Sequence, residues 1–278
     1  MDLLTKPASN YPVEELVKML NRGFEEYFIP IHFTNSLFLN MLKKDGIDLS
    51  ASRILLANQS PCGIALIAPR GRQRVSRLAA MGIAKEARGK GAGSWFMKEL
   101  VAEACDRGDR EMVLEVIEQN EPAVKLYRKY GFESVRRLVG YTCKGRKTGD
   151  IQKASLKEVD LGDMGELISQ YGLSDLPWQL SGASVTQINP SPRAYSEGQA
   201  YILISNPEAE HIVIWSLLVE PEARGHGLGS QMLSQVVAHW AGKTWHIPAL
   251  CPEEFGKVFE NAGFERETLS QWQMKVHL

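Results

Sequence analysis

The chain has 278 residues, 44% hydrophobic and 23% charged, with a formal net charge of −1. That length exceeds an ordinary single domain, and the composition is that of a globular protein able to bury a core in each of two halves, which excludes a disordered or fibrous chain. No apolar run approaches the ~18 residues of a membrane span, the first residues lack the pattern of a signal peptide, and Cys62, Cys105, Cys143 and Cys251 are scattered without a CxxC pair.

In chain order, apolar residues spaced at helical period predict a helix over Val13 to Tyr27, ended by Pro30, and a second over Ser36 to Lys44 with Thr34 or Asn35 as its cap. Arg53 to Ala57 and Gly63 to Ala68 read as strands joined by a hairpin turn at Asn58-Gln59-Ser60-Pro61. Leu78 to Ile83 is a strand running into a glycine-rich turn, and a helix follows over Ser94 to Cys105. A strand around Glu115, a helix carrying Tyr127, and a last strand near Val135 to Cys143 complete the first half. Lys144 to Asp150, polar with two glycines, is the expected linker.

The second half predicts a helix over Asp163 to Tyr171, then a loop-like stretch from Gln187 to Ala200 with two prolines and one glycine. Its part from Gln187 to Gly198 is expected to lid the cleft of the first half. Strands follow over Gln199 to Ser205 and His211 to Val219, a helix over Gly229 to Trp240, and a strand over Trp245 to Leu250. Glu253 to Asn261 is helical, and Gln271 to Val276 closes the sheet.

One pattern organises these elements. Arg88-Gly89-Lys90-Gly91-Ala92-Gly93 recurs as Arg224-Gly225-His226-Gly227-Leu228-Gly229, 136 positions later. In both places an apolar strand precedes the glycines and a helix follows, so the chain reads as a duplicated domain, residues 1–146 and 147–278. A glycine-rich turn between strand and helix bares backbone N–H groups at a helix N-terminus, where they can hold a phosphate. Neither copy carries the Lys-Ser/Thr pair of a P-loop, and Ser94 and Ser230 stand where the third glycine of a dinucleotide fingerprint would fall.

What remains, Arg-x-x-Gly-x-Gly after a strand, resembles the acyl-CoA pyrophosphate loop of the GNAT acetyltransferase superfamily. A second segment strengthens the resemblance: Leu114-Glu115-Val116, then Asn120-Glu121-Pro122-Ala123, then Leu126-Tyr127, ended by Gly131-Phe132. This is similar to the strand, the Asn-x-x-Ala-x-x-Leu-Tyr helix and the Gly-Phe ending of that family. The resemblance covers roughly residues 75 to 143 and reaches the rest through domain length and the second loop. It implies an α/β fold with a mixed sheet in each half, two tandem domains with the second reduced, and acetyl-CoA as cosubstrate with no metal.

The resemblance also assigns residues. Backbone groups of Met81 and Ile83 are expected along the pantetheine arm, and those of Arg88, Gly89, Lys90, Gly91, Ala92, Gly93 and Ser94 around the pyrophosphate. Asn120 either contacts the pantetheine or only caps its helix. Tyr127 is implied as the acid beside the departing thiolate; otherwise it is a core aromatic whose hydroxyl reaches a carbonyl. Glu115, a buried or cleft-facing carboxylate interrupting an apolar strand, is the candidate base, or else it faces solvent on an alternating strand. Phe24, Tyr27, Phe28, Pro30, His32, Phe33 and Phe38 cluster where the family builds its acceptor wall, with core packing as the plain alternative. The acceptor implied is a primary amine of a small molecule or a peptide.

Charge divides unevenly: residues 1–146 hold 23 Lys+Arg and 17 Asp+Glu, net +6, and residues 147–278 hold 9 and 16, net −7. A basic first half suits an anionic CoA. Arg70, Arg72, Arg74 and Arg77 have no interleaved aromatics, which argues against a nucleic-acid partner. The thiol pattern and the start of the chain predict a cytoplasmic protein without a membrane anchor.

Counting back from Gly-Phe, Phe259 stands at the place of Tyr127, Pro252 at that of Asn120 and Ile247 at that of Glu115. Catalysis is therefore expected in the first half. Val219, Arg224, Gly225, Gly227 and Gly229 of the second loop either form a further CoA site or only keep their turn. A non-catalytic acyl-CoA-binding or scaffolding protein is the alternative function.

Overall fold

The computed structural model describes residues 2–145 and 156–278. The linker expected over Lys144 to Asp150 lies, beyond Gly145, outside the described residues. The chain forms two compact units, Met1–Val135 with Trp272–Leu278, and Arg136–Gln271.

Unit 1 opens with β1 (Leu3–Pro7), a strand the sequence reading passed over, paired antiparallel to β2 (Arg53–Ala57). Between them lie α1 (Val13–Gly23) and α2 (Asn35–Asp45). The α1 helix stops four residues before the expected Tyr27. A Cβ on Gly23 would lie 2.7 Å from Gly82 Cα, so the helix end rests directly on strand backbone. Glu26 then turns the chain with φ 59. The α2 helix begins as its sequence suggests, Thr34 Oγ1 accepting from Leu37 N–H at 3.2 Å, and ends on Gly46 in the left-handed conformation.

β3 (Ser60–Arg70) and β4 (Val75–Ile83) continue the antiparallel run from β2. Asn58 and Gln59 both take positive φ, which closes a tight turn between β2 and β3. Then come α3 (Ala92–Asp106), β5 (Glu111–Ile117) and α4 (Glu121–Lys129). Met112, Leu114 and Val116 of β5 alternate into a core with Phe96, Leu100, Val124, Tyr127 and Phe132.

The sequence predicts that β6 (Glu133–Lys144) closes the first half, and the structure corrects this. β6 pairs with β11 (Thr244–Pro252), and beyond Val135 it belongs to unit 2. The place beside β5 is taken by the end of β12 (Glu265–His277), the last strand of the chain. The boundary expected at 146/147 is therefore displaced, and each unit takes a strand from the other half of the sequence. Strand order is β1-β2-β3-β4-β5-β12 in unit 1.

Unit 2 repeats the plan with β7 (Lys157–Val159), α5 (Leu161–Tyr171), the single-turn α6 (Gly182–Val185), β8 (Arg193–Glu197), β9 (Ala200–Ile204) and β10 (His211–Val219), then α7 (Leu228–His239), β11 and α8 (Gly256–Asn261). Its strand order is β12-β6-β11-β10-β9-β8-β7. The stretch from Gln187 to Ala200, expected as a loop and lid, contains β8, which lies between β7 and β9 in this sheet. Prolines at 190 and 192 both precede the strand rather than interrupt it, so they leave its ladder intact.

The two units share a device that positions the site. In β4, Leu66 faces Ala80 and Ile67 faces Leu78, which leaves Ala79 as an extra, bulged residue. In β10, Ile214 faces Ile204 and Ser216 faces Leu203, which leaves Trp215 bulged, again 136 positions on. The β4–β5 parallel ladder ends at Arg77 and Val113, and the β10–β11 ladder at Val213 and His246. Past these points the paired strands part, and each glycine loop follows at the open end.

Candidate active site

Each glycine loop is built the same way. Gly89 and Gly91 have φ +72 and +84, and Gly225 and Gly227 have +81 and +79, a region costly for side-chain-bearing residues. The first backbone bond of α3 runs from Trp95 N–H to Gly91 O, leaving the N–H groups of Ala92, Gly93 and Ser94 without helical partners. In this loop the N–H groups, with the helix dipole behind them, are suited to an anion. Lys90 is exposed on the loop.

The arginines have a different duty from phosphate binding. Arg88 Nε donates to Ile83 O at 2.8 Å, and its Nη2 donates to Gly23 O and Glu25 O at 3.0 and 3.2 Å. Arg224 does likewise to Val219 O at 3.0 Å and Tyr171 O at 2.6 Å. Each guanidinium thus caps the preceding helix end and fastens it to the strand. Ile83 therefore spends its carbonyl on Arg88, which narrows its expected contact with a pantetheine arm to its N–H; Met81 lies where β4 has parted from β5.

Sequence reasoning missed Lys129, whose Nζ donates to Ser94 Oγ at 2.8 Å, and Tyr130, whose hydroxyl lies 2.8 Å from that same oxygen. They are the last residue of α4 and its C-cap, and only the packing of α4 beside α3 brings a cation to the start of α3.

Asn120 caps α4, its Oδ1 accepting from Ala123 N–H at 3.3 Å, and its side chain also hydrogen-bonds the Tyr27 phenol. Tyr27 in turn lies close enough to Tyr127 to influence its ionisation. Burial raises the pKa of both phenols. Tyr127 is only 9% exposed and packs against Phe132 at 5.8 Å between ring centroids. No hydrogen bond to the described residues engages its hydroxyl, so the carbonyl-capped core tyrosine is not what the structure shows.

Tyr27 comes from the aromatic cluster, which divides in the fold. Phe38 is fully buried, Phe24 packs edge-on against Tyr27 and Phe33 at 4.9 and 5.9 Å, and Phe28 is 52% exposed. Asn21 pins this segment by a reciprocal pair with the Phe33 backbone, at 3.0 and 2.8 Å.

Glu115 does not face solvent: it is buried, and its carboxylate is engaged in an ion pair. Its side chain is 3% exposed, and Oε2 accepts from Arg77 Nε at 2.8 Å. Arg77 Nη1 also donates to Asp45 Oδ2 at 3.2 Å, and Lys44 Nζ lies 3.6 Å from the same aspartate. Burial alone would lower the guanidinium pKa, but the two carboxylates outweigh it and keep Arg77 charged. This cluster sits on the sheet face opposite Leu114 and Val116, at the last rung of the β4–β5 ladder. Asp45, the end of α2, could not be tied to Glu115 by spacing alone.

Unit 2 lacks these polar groups. Phe259 matches Tyr127, since Phe132 N–H bonds Tyr127 O at 3.1 Å and Phe264 N–H bonds Phe259 O at 3.0 Å in equivalent turns. The ladder registers correct the partner of Glu115: Val75 faces Glu111 and His211 faces Thr244, so Glu115 corresponds to Pro248 rather than Ile247, which matches Leu114. Among the described residues no group of His, Cys, Asp or Glu is placed to hold a metal ion, and no helix is long and apolar enough to cross a membrane.

Residues 13–132 and 194–249 match the Acetyltransferase (GNAT) family, together more than half of the chain. The chain belongs to that family, whose chemistry is acyl transfer. A GCN5-related N-acetyltransferase from Sphaerobacter thermophilus shares its fold with TM-score 0.66 and 13% identity, over 99% of this chain and 95% of that one. A putative acetyltransferase from Pyrococcus horikoshii gives the same score and identity, over 99% and 89%. A tandem GNAT protein from the clavulanic acid biosynthesis pathway gives 0.62 and 13%, over 99% and 98%. Among proteins of curated function, none matches it in sequence.

Proposed function

We propose that unit 1 is an N-acetyltransferase that moves an acetyl group from acetyl-CoA to a primary amine of a small molecule or peptide by direct attack. The observation that carries this reading is Tyr127: a buried phenol without a hydrogen-bond partner among the described residues, next in the chain to Leu126, whose side chain lies against Gly93 of the first glycine loop. The neutral amine nitrogen adds to the thioester carbonyl carbon, the C–S bond breaks, and the sulfur leaves with its electron pair. A phenol kept protonated by burial can donate to that sulfur throughout the neutral range. The amine proton passes to water, and water returns a proton to the phenolate. Glu115, held by Arg77, positions the strands instead of taking it. Tyr27, hydrogen-bonded by Asn120, lies near the phenol, and the half-exposed Phe28 suits an acceptor with an apolar part.

The test is Tyr127→Phe. Turnover should fall on the order of 10²-fold with CoA affinity retained, as for a positioned acid. Full turnover in a thiol-release assay would return Tyr127 to a packing role.

A further inference from the structure

We infer that Tyr27 is a positioning residue of the reaction, which passes a proton inward to the Tyr127 oxygen as Tyr127 gives its own to the departing sulfur. The inference rests on the reading of Tyr127 as the acid and adds the route by which that buried phenol is resupplied.

Three elements meet at this place. The end of α1 is seated on β4, where a Cβ on Gly23 would fall 2.7 Å from Gly82 Cα, and Arg88 holds the carbonyls of Gly23 and Glu25. Tyr27 hangs from this fixed end, edge-on to Phe24 at 4.9 Å. From the other side, a Cβ on Gly93 would lie 3.7 Å from Leu126 and 3.9 Å from Ile83, so α4 reaches the same end of β4. Asn120 and Tyr127 are seven positions apart on α4, which puts them on one side of the helix, two turns from each other.

The helix cap sets the direction of the proton. Asn120 Oδ1 accepts from Ala123 N–H at 3.3 Å, which turns the amide N–H₂ toward Tyr27. Burial raises the Tyr27 pKa and Asn120 works against that rise, as a donor to the phenol oxygen does. The Tyr27 oxygen is therefore an acceptor from Asn120, and its own proton is left to point elsewhere. Tyr127 has no hydrogen-bond partner among the described residues, so the proton reaches its oxygen across one water.

The chemistry requires such a supply. An alkyl thiol titrates at about 8.5 and a phenol at about 10, and burial raises Tyr127 further. Donation from Tyr127 to a thiolate alone thus runs uphill and leaves a phenolate in the core beside Val124 and Phe132. Re-protonation in the same step removes that charge. Bulk water has little access to Tyr127, which is 9% exposed, whereas Tyr27 is less buried and its neighbour Phe28 is open to solvent. The protons balance. As the C–S bond breaks, the Tyr127 proton goes to sulfur, the bridging water gives one to the Tyr127 oxygen, and Tyr27 gives one to that water. Solvent, which received the amine proton, restores Tyr27.

Thiol release from acetyl-CoA by the full chain tests this, with phenethylamine, spermidine and trialanine as acceptor probes. Tyr27→Phe should lower kcat about tenfold, a part of the 10²-fold order expected of the acid, with the amine KM and CoA affinity unchanged. Tyr27→Phe combined with Tyr127→Phe should be no slower than Tyr127→Phe alone, because Tyr27 acts through Tyr127. In mixtures of light and heavy water, turnover should fall along a curve in the unaltered chain, from several protons in flight, and along a line in Tyr27→Phe. Asn120→Asp still caps α4 but has no N–H to give, and in the folded protein it should match Tyr27→Phe. Full kcat in Tyr27→Phe or in Asn120→Asp, losses that multiply in the double variant, or a raised amine KM would overturn the relay and leave Tyr127 as the acid. Full turnover in Tyr127→Phe, or no thiol release with any probe, would overturn the reading of unit 1 and the relay with it.

Discussion

Arg77 shows how one side chain can set the geometry of a cleft. It lies at the last rung where β4 and β5 still pair, and it reaches Glu115 on one strand and Asp45 at the end of α2. The equivalent residues of unit 2, Val213 and Pro248, carry no charge, so the same parting of strands is compatible with an apolar junction. Removing one member of a buried ion cluster strands the others without compensation. Arg77→Met should therefore lose about 3–5 kcal/mol of stability in urea unfolding. Arg77→Met combined with Glu115→Leu and Asp45→Leu should recover a large part of it. A further readout concerns Glu115 itself. If it positions the strands, Glu115→Gln lowers stability and leaves the shape of the pH–rate profile alone; a flattened acid limb would make it the base.

At the scale of elements, the loop and α3 act as one piece. Gly91 is the N-cap of α3 with φ +84, and nothing lies within 4 Å of a Cβ placed there. Space is thus no obstacle, and the cost of a side chain comes from backbone strain and from lost approach of a ligand to the N–H groups. Gly91→Val is expected to weaken acetyl-CoA binding by unit 1 at least tenfold, about 1.4 kcal/mol, which is the lower range of left-handed strain for a residue with a Cβ. Gly91→Ala should lose less, since alanine is not β-branched. Calorimetry showing undiminished affinity in Gly91→Val would remove the loop from the binding site. The helix ends obey the same logic of local satisfaction. Thr34 and Asn120 cap α2 and α4 from their own side chains, and the end of α1 is capped by Arg88, 65 residues away in sequence.

At the scale of the whole molecule, the exchange of closing strands has a consequence for truncation. Unit 1 is completed by Trp272–Leu278, in which Met274 is fully buried and Val276 packs into the core with Phe132. Lys275 Nζ reaches Glu111 at 3.2 Å, and Leu278 N–H bonds Arg110 O at 3.0 Å. A chain ending at residue 146 would retain every motif of the first half and still lack a strand of its sheet. It should fail to unfold cooperatively in a thermal melt, and adding a peptide spanning 265–278 should restore a transition. A sharp, full-amplitude melt for residues 1–146 alone would contradict the exchange.

The sequence by itself determined the local and repeated features. Arg-x-x-Gly-x-Gly occurred twice at one offset, and hydrophobic periodicity placed both loops between a strand and a helix. Cap residues fixed the starts of α2 and α4, and the family followed from these motifs because they encode backbone geometry that near neighbours satisfy. The short strands β1 and β7 escaped notice because three to five residues carry too little periodicity. What only the tertiary structure decided depends on partners far apart in sequence. Glu115 meets Arg77 and Asp45 across the fold, Tyr27 is brought against Asn120 and Tyr127, and the register of β10 with β11 moves the match of Glu115 from Ile247 to Pro248. Strands β6 and β12 exchange places because a strand's pattern says which face is apolar and not which edge it will pair with.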